Sequence, residues 1–383
     1  MGLLAGAALA ACAPHPPAPQ PTAPQPAGEE PVDTEAVAPE KGHEALHFQR
    51  LAGGLVRCDI CWRGCIVAPG ERGFCGTREN RAGTLYTLLY QRASAVNTDP
   101  VEKLPAYHVL PGTNRVCIGT AGCNYRCLFC HNWPLSQRPL EEVEPLDYTV
   151  EDLVRLAIAT GCPSVSFTYN EPTVFYEFML DTARRAHELG LLALSHSNGS
   201  ASDVAWRELL PHLDAVTVDL KAFCEKFYAQ VSAAELAPVL RALERIRASG
   251  THLEIVNLVI PTLNDDPDDL QAMCRWIAET LGDDVPLHFT RFLPAYRLER
   301  LPATPIETLE RAAAIADAES IQFVYIGNVP GHRRNSTYCP KCDATLVTRM
   351  HFEVLEYRLI DGRCPDCGHA LPGVWGRQRA LSS

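Results

Sequence analysis

The sequence lacks two features that would place it in common classes of protein. It contains no run of about 18 apolar residues, so we expect no transmembrane helix. It also has no excess of basic residues, because 34 Lys and Arg stand against 46 Asp and Glu and give a net charge of −12. Non-specific nucleic-acid binding depends on a basic surface, so we expect no nucleic-acid partner. Its 383 residues, 46% of them hydrophobic, suffice for one large domain and one or two small modules.

Cysteine, in contrast, is abundant, with 16 residues in the chain. Eleven of them fall into three tight clusters, which is typical of metal ligands and not of a short secreted scaffold with evenly spaced disulfides. Cys12 belongs to the N-terminal tail. The other four are isolated and are expected to be small core side chains: Cys117, Cys162, Cys224 and Cys274.

The N-terminal tail resembles a lipoprotein signal followed by a linker. Residues 1–12 contain an apolar stretch of signal-peptide length, and the LAAC sequence that ends at Cys12 resembles a bacterial lipobox, although no basic residue precedes the stretch. Residues 13–39 hold nine prolines and no Lys or Arg. Such a segment cannot bury a core, so we expect a disordered linker over residues 13–45. These features predict export and lipid anchoring through Cys12.

The first cysteine cluster has the spacing C-x2-C-x3-C-x9-C. Four thiolates within 18 residues suit either a tetrahedral zinc ion or an iron–sulfur cluster, and the spacing does not choose between them. Two disulfides are the alternative if the protein is exported. We assign residues 46–110 to an N-terminal Cys-rich metal module with the ligands Cys58, Cys61, Cys65 and Cys75.

The second cluster contains three cysteines, Cys123, Cys127 and Cys130, with the spacing C-x3-C-x2-C after the apolar segment 115–119. Three thiolates can hold three irons of a [4Fe–4S] cluster and leave the fourth iron open to a ligand, as catalytic zinc sites also keep one position free. The alternative is a zinc site that His131 completes.

This motif resembles the cluster motif of the radical SAM superfamily. Over about residues 58–375 the sequence resembles the radical SAM enzymes of the AmmeMemoRadiSam system, which are similar to pyruvate formate-lyase activating enzymes. The segments that carry this resemblance, besides the cysteine clusters, are FTYNEPTVFYE at 167–177, VDLKAFCEKFY at 218–228, NLVIPTLNDD at 257–266, PLHFTRFLPAYRL at 286–298 and VYIGNVPGH at 324–332.

The resemblance implies an activity and its cofactors. A [4Fe–4S] cluster would bind S-adenosylmethionine and reduce it to methionine and a 5′-deoxyadenosyl radical, which takes a hydrogen atom from an unidentified substrate, for which a protein is one candidate. An electron donor such as flavodoxin or ferredoxin would supply the cluster. Memo-like and AMMECR-like proteins are the partners that the family name suggests.

The periodicity of the middle of the chain independently predicts a partial (β/α) barrel. Helical spacing alternates with short apolar runs from residue 115 to residue 326, which is typical of a parallel sheet with helical crossovers. In such barrels the site lies at the carboxyl ends of the strands. We therefore predict an α/β fold in which residues 111–332 form the radical SAM barrel.

Six residues near the predicted strand ends or within the cysteine motif match positions that contact S-adenosylmethionine in the resembled enzymes. Where many of those enzymes have Gly-Gly-Glu, this chain has Tyr-Asn-Glu, so only the acceptor Glu171 is retained. The cofactor-binding residues that the resemblance implies are Phe129, Glu171, Asn198, Asp219, Lys221 and His288.

The third cluster predicts a zinc-ribbon-like module over residues 333–383. Two C-x2-C pairs, each with a proline inside, are separated by 21 residues: Cys339 and Cys342, then Cys364 and Cys367. Such pairs clamp one tetrahedral Zn²⁺, although a mononuclear iron site of the rubredoxin type has the same ligands.

Two other functions remain open at this level. One is activation of a glycyl radical enzyme, which the similarity to activating enzymes suggests. The other is a non-catalytic metalloprotein for electron transfer or zinc-mediated binding. Because cluster assembly and reduction are expected in the cytoplasm, the predicted lipid anchor at Cys12 conflicts with the predicted chemistry.

Overall fold

The computed structural model describes residues 42–376. The predicted signal, the lipid anchor at Cys12 and most of the predicted linker therefore lie outside the described residues. Within the predicted linker of residues 13–45, residues 43–44 pair with a later strand and Ala45 is buried. Within the described part, no helix has both the length and the apolar run needed to cross a membrane.

The N-terminal region consists of short antiparallel strands. Tight turns separate them, as expected for a segment with glycines at 64, 70, 73 and 76. Two three-stranded sheets form, in the orders β1-β6-β5 and β2-β3-β4. The strands of these two sheets are β1 (His43–Glu44), β2 (Phe48–Arg50), β3 (Val56–Cys58), β4 (Ile66–Val67), β5 (Arg78–Arg81) and β6 (Thr84–Thr87). A further strand, β7 (Arg92–Ala93), lies outside both sheets.

An eight-stranded sheet forms the core, in the order β16-β15-β14-β13-β12-β11-β9-β8. Seven of its strands are parallel, and β8 pairs antiparallel with β9 at one edge. β10 lies outside this sheet and pairs with β7. The strands are β8 (Ala95–Pro100), β9 (Asn114–Gly119), β10 (Leu146–Asp147), β11 (Ser164–Phe167), β12 (Leu192–Ser197), β13 (Ala215–Asp219), β14 (His252–Val259), β15 (Leu287–Arg291) and β16 (Val324–Gly327).

Helices connect the parallel strands, which confirms the predicted β/α alternation. Their starts follow local sequence: Thr149 and Asp152 form a capping box at α2, and Asp266 caps α7. The helices are α1 (Trp133–Ser136), α2 (Val150–Ala159), α3 (Tyr176–Glu188), α4 (Asp203–Leu209), α5 (Glu225–Phe227), α6 (Ala237–Ser249), α7 (Pro267–Trp276) and α8 (Ile306–Ala318).

The segment 101–113, between β8 and β9, fills part of the barrel interior. Its apolar residues, among them Val101 and Leu104, pack on Leu194 of β12 and Ala215 of β13. The backbone N–H groups of residues 107 and 108 donate to the buried carboxylate of Glu254 on β14, at 3.0 and 2.8 Å. No pattern in the sequence predicted this insertion.

The C-terminal region packs on the β16 edge of the sheet. It is a three-stranded antiparallel sheet in the order β17-β18-β19, and its core includes Tyr107 and Tyr325. The fully buried Arg349 stacks on Tyr107 and donates to its carbonyl oxygen at 2.7 Å, which ties this region to the segment 101–113. Its strands are β17 (Thr337–Tyr338), β18 (Thr345–Met350) and β19 (Glu353–Tyr357).

Candidate active site

The central cysteine loop follows β9 at the carboxyl end of the sheet, as predicted. Cys123 and Cys127 are buried and Cys130 is half-buried. All three side chains line one cavity of about 370 Å³. Burial raises the pKa of the Cys127 thiol to about 11, and the ammonium of Lys221 opposes that rise. The loop therefore presents three convergent thiols beside a cation, which suits an anionic metal centre.

Asn170 fastens this loop to the end of β11. Its side-chain oxygen accepts from the N–H of Thr120 at 3.0 Å, and its amide donates to the carbonyl of Gly122 at 2.8 Å. The preceding Tyr169 adopts a φ of 71°, a left-handed conformation that glycine adopts more easily. Tyr169 therefore adopts this conformation at some backbone strain, and Asn170 has a positioning role that the sequence did not predict.

Glu171 and Asn198 belong to one buried network. The Glu171 carboxylate accepts from the Ser197 hydroxyl at 2.9 Å and from the Asn198 backbone N–H at 2.7 Å. The Asn198 amide donates to Asn124, the neighbour of Cys123, at 2.8 Å. Both residues line the cavity, yet most of their polar atoms are occupied within the protein. Their arrangement fixes the turn after β12 relative to the cysteine loop.

Asp219 and Lys221 form an ion pair at the end of β13, with Nζ to Oδ2 at 2.9 Å. His196 lies 3.0 Å from the other carboxylate oxygen. Burial raises the pKa of Asp219, but Lys221 and His196 outweigh it and hold this pKa below its usual value. The Lys221 ammonium also lies 5.5 Å from the centre of the Phe129 ring. Charges of both signs therefore face one cavity next to an aromatic face.

His288 lies deeper in the barrel than the other predicted cofactor residues. It is 1% exposed, and its Nε2 lies 2.6 Å from the carboxylate of Glu254. Its ring stacks on Tyr325. Glu254 was not predicted as a site residue, because an acidic residue inside an apolar run does not indicate the four groups that converge on it. Those groups are the backbone N–H groups of Tyr107 and His108 and the rings of His252 and His288.

The structure thus brings all six predicted cofactor residues to the cavity that the three cysteines line. Side chains that the prediction did not include also reach it, from the insertion and from the C-terminal region. They include Glu102, Lys103 and Tyr107 of the insertion and Phe352 of the C-terminal region. His196 of β12 and Asn328, which follows β16, line the cavity as well.

The spacing of the thiols separates two kinds of site. In a tetrahedral zinc site with Zn–S of about 2.3 Å, the sulfurs lie roughly 3.8 Å apart. Within residues 42–376, only the C-terminal group has three or more ligand atoms of His, Cys, Asp or Glu within 4.8 Å of one another. The central cysteines and His131 are therefore too widely spaced for one zinc ion. In a cubane cluster each thiolate binds a different iron, so its ligands need not lie around a single ion.

The C-terminal cysteines form a compact site. The Sγ atoms of Cys339 and Cys367 lie 3.5 Å apart, and those of Cys342 and Cys364 lie 3.6 Å apart. All four sulfurs lie within 4.8 Å of one another. This spacing is that of four ligands around a single tetrahedral ion. The site can bind a metal ion that links the two cysteine pairs.

Cys342→Ala should remove the metal from this site and loosen β17–β19, because such small modules fold around their metal. Metal analysis should show the loss of about one ion per chain, and limited proteolysis should cut the C-terminal region faster. The visible absorbance of the central cluster should remain. Lys341→Ala, which changes an exposed neighbour within the same C-x2-C pair, is the control and should keep the metal. Loss of the central absorbance in Cys342→Ala would contradict the separation of the two sites.

Known proteins share this sequence pattern. A family model of the radical SAM superfamily matches residues 117–277. The chain is 42% identical over 330 residues to an uncharacterized protein of Methanocaldococcus jannaschii, covering 86% of this chain and 98% of that protein. It is 26% identical over 179 residues to the pyruvate formate-lyase-activating enzyme of Staphylococcus aureus, covering 43% and 68% of the two chains. Streptococcus suis SuiB bound to S-adenosylmethionine matches with a TM-score of 0.45 and 12% identity, over 61% of this chain and 53% of that chain.

The chain belongs to the radical SAM superfamily and is an enzyme of that superfamily. Membership implies a [4Fe–4S] cluster and S-adenosylmethionine as cofactors. The residues around the cavity fit both, because three buried or half-buried thiols face a paired acid and base and an aromatic ring.

Proposed function

We propose that the protein cleaves S-adenosylmethionine reductively and abstracts a hydrogen atom from a second substrate. The observation that carries this proposal is the convergence of Cys123, Cys127 and Cys130 with the Asp219–Lys221 pair on one cavity. Three thiols leave one iron for the cofactor, whereas a pure electron-transfer cluster would use four. When bound, the cluster supplies the electron that breaks the carbon–sulfur bond of the sulfonium.

The chain's own residues hold and orient the cofactor in this proposal. Asp219 and Lys221 offer a carboxylate and an ammonium to a ligand that carries both an amino and a carboxylate group, or to its ribose. Phe129 and the aliphatic side chains of Val256 and Leu258 offer apolar surface to the adenine. Asn257 donates to the carbonyl of Leu220 at 2.8 Å and so fixes the backbone between the two charged residues.

Glu171 and Asn198 orient the cavity wall in this proposal. Because the Glu171 carboxylate already accepts from Ser197 and Asn198, it holds the turn after β12 in place. One carboxylate oxygen, which accepts only the Asn198 N–H, keeps a lone pair for the cofactor's amino group. His288, held by Glu254, would face the adenosyl side from the barrel interior.

The test uses anaerobically reconstituted protein, dithionite and S-adenosylmethionine, with 5′-deoxyadenosine as the measured product. We expect product that requires the reduced cluster. If cleavage waits for substrate, S-adenosylmethionine should still shift the EPR signal of the reduced cluster, because it binds the open iron. A fully loaded, reducible cluster that gives neither product nor an EPR shift would refute the proposal.

The finer assignments of the family are also proposals. We propose Zn²⁺ at the C-terminal site, supported by its sulfur spacing of 3.5 and 3.6 Å. We propose a flavodoxin or ferredoxin as electron donor, and Memo-like and AMMECR-like proteins as partners, on the resemblance of the sequence to the AmmeMemoRadiSam enzymes. Metal analysis of the purified chain and reduction assays with each donor would test the first two, and binding assays with each partner would test the third.

A further inference from the structure

The N-terminal cysteines gather into one site that the barrel does not require. Cys58, at the end of β3, is buried, and the other three are half-buried. The backbone N–H of Cys58 donates to the carbonyl of Cys65 at 2.9 Å, and a turn between Cys61 and Cys65 is closed by a 3.3 Å hydrogen bond from the N–H of Gly64 to the carbonyl of Cys61. A Cβ atom on Gly73, two residues before Cys75, would lie 3.8 Å from the Sγ of Cys65. All four therefore lie near one another. Yet, within residues 42–376, only the C-terminal group has three ligand atoms within 4.8 Å of each other, so this site is wider than a zinc tetrahedron.

A buried cation lies beside these thiols with unused hydrogen-bond donors. Arg78 is 1% exposed, and its Nη2 donates to both oxygens of Glu177, at 2.9 and 2.7 Å. Its Nε and Nη1 are buried and have no hydrogen-bond partner among the described residues. The backbone carbonyl of Arg78 accepts from the N–H of Gly73, in the loop between Cys65 and Cys75, at 2.9 Å, so Arg78 lies against the cysteine loop. Buried donors without acceptors are costly, so an acceptor at this place is expected.

Inorganic sulfide would supply such an acceptor. A zinc ion bound by four thiolates brings no further acceptor, because its ligands are only the cysteine sulfurs. A cubane cluster adds four bridging sulfides, and hydrogen bonds to cluster sulfurs are a known means of tuning its potential. The wide sulfur spacing and the unpartnered Arg78 donors thus favour the same occupant.

The site touches the central cysteine loop directly. A Cβ atom on Gly122, which precedes Cys123, would lie 2.7 Å from the carbonyl oxygen of Cys75, so the two loops are in van der Waals contact. Asn124 follows Cys123 in the central cysteine loop. Arg63 donates to the Asn124 carbonyl at 2.7 Å. Adjacent residues of the two cysteine loops therefore provide a short path between the sites.

We propose that Cys58, Cys61, Cys65 and Cys75 hold a second [4Fe–4S] cluster that passes electrons to the central cluster. The electron-transfer role rests on the proposed function, whereas the presence of the second cluster does not. In each transfer the N-terminal cluster is oxidised from the 1+ to the 2+ state and the central cluster is reduced from 2+ to 1+. No bond forms and no proton moves. A one-electron donor protein of the flavodoxin or ferredoxin class restores the reduced state.

The first test counts acid-labile sulfide in the anaerobically reconstituted full chain, because neither zinc nor a mononuclear iron at the C-terminal site contributes sulfide. The wild type should hold about eight sulfides per chain. The triple variant Cys123→Ala/Cys127→Ala/Cys130→Ala should keep about four, with the Mössbauer spectrum of a cubane cluster. The matched variant Cys58→Ala/Cys61→Ala/Cys65→Ala/Cys75→Ala should also keep about four. Zinc without sulfide in the triple variant would overturn the inference.

The second test measures contact between the clusters without using enzymatic activity. In the fully reduced wild type, EPR should show spin coupling or faster relaxation than in Cys127→Ala, which retains only the N-terminal cluster. The double variant Arg78→Gln/Glu177→Gln, which replaces the buried ion pair by a neutral pair, should move the N-terminal potential to a more negative value. Arg78→Lys, which keeps a positive charge at this position, should show a smaller shift of the N-terminal potential than the double variant. If the two clusters relax independently, electron transfer between them is refuted. The sulfide count then still decides whether the N-terminal cluster exists.

Neither test depends on cleavage of S-adenosylmethionine. If 5′-deoxyadenosine never forms but the triple variant keeps its sulfide, the proposed reaction fails and the second cluster stands. If product forms but the triple variant lacks sulfide, the reaction stands and the second cluster fails.

Discussion

Cys127→Ala should reduce 5′-deoxyadenosine formation to the level of an assay without protein. Cys127 is 7% exposed and lines the cavity together with the other two thiols of the motif. Its loss leaves two thiolates, which cannot hold a cubane cluster with one open iron. Labile sulfide should fall by about four per chain relative to the wild type. Sulfide analysis and quantification of the product by liquid chromatography measure both effects.

Cys162→Ala is the matched control for this experiment. Cys162 is also a buried cysteine, 2% exposed, but it packs in the core away from the cavity. Removing its thiol costs packing and not a metal ligand, so the sulfide content and product should both remain. Product formation by Cys127→Ala at the wild-type rate would refute the assignment of the central cluster.

Glu254→Ala should release the segment 101–113 from the barrel. The carboxylate of Glu254 accepts from the N–H groups of Tyr107 and His108 and from the rings of His252 and His288. Removing one member of a buried charged network costs about 3–5 kcal/mol, because its partners lose their acceptor. At about 1.4 kcal/mol per factor of ten, the amides of residues 107 and 108 should exchange roughly two to four orders of magnitude faster. Hydrogen exchange with mass spectrometry measures this directly.

Two further variants serve as an intermediate case and as a control for that experiment. Glu254→Gln keeps the shape and one oxygen acceptor, so it should lie between the wild type and the alanine variant. Glu151→Ala removes a carboxylate that pairs with Arg155 and Arg185 at the surface, and it should leave the exchange of residues 101–113 unchanged. Slow exchange of Tyr107 and His108 in Glu254→Ala would show that the apolar contacts of the insertion hold it without this network.

The parallel strands and their connecting helices could be predicted from the sequence, because the hydrophobic pattern that specifies them lies within short segments. Runs such as Ser164–Phe167 and residues 215–218 contain only apolar or small side chains, as expected for strands buried on both faces, and amphipathic helices lie between the strands. The cysteine spacings also follow from chain geometry, because ligands two or three residues apart must approach one centre. The observed alternation of strands and helices between residues 114 and 327 reflects these short-range rules.

The polar residues of the site were harder to interpret, because their partners are distant in sequence. Glu171 and Asn198 were expected as cofactor contacts, and both face the cavity, but they also form a network that only the approach of β11 and β12 creates. Asn170 and Glu254 were not predicted at all. Each is an ordinary polar residue in the sequence, and its hydrogen-bond partners lie up to 147 residues away.

The sequence by itself determined the α/β alternation, the superfamily and the three groups of cysteines, because hydrophobic periodicity and ligand spacing are properties of neighbouring residues. Only the tertiary structure decided the rest. It separated the compact C-terminal site from the two wider ones, placed Arg78 beside the N-terminal thiols and brought Cys75 against Gly122. These facts depend on distances between sulfurs and on the packing of separate modules, which short-range patterns do not encode.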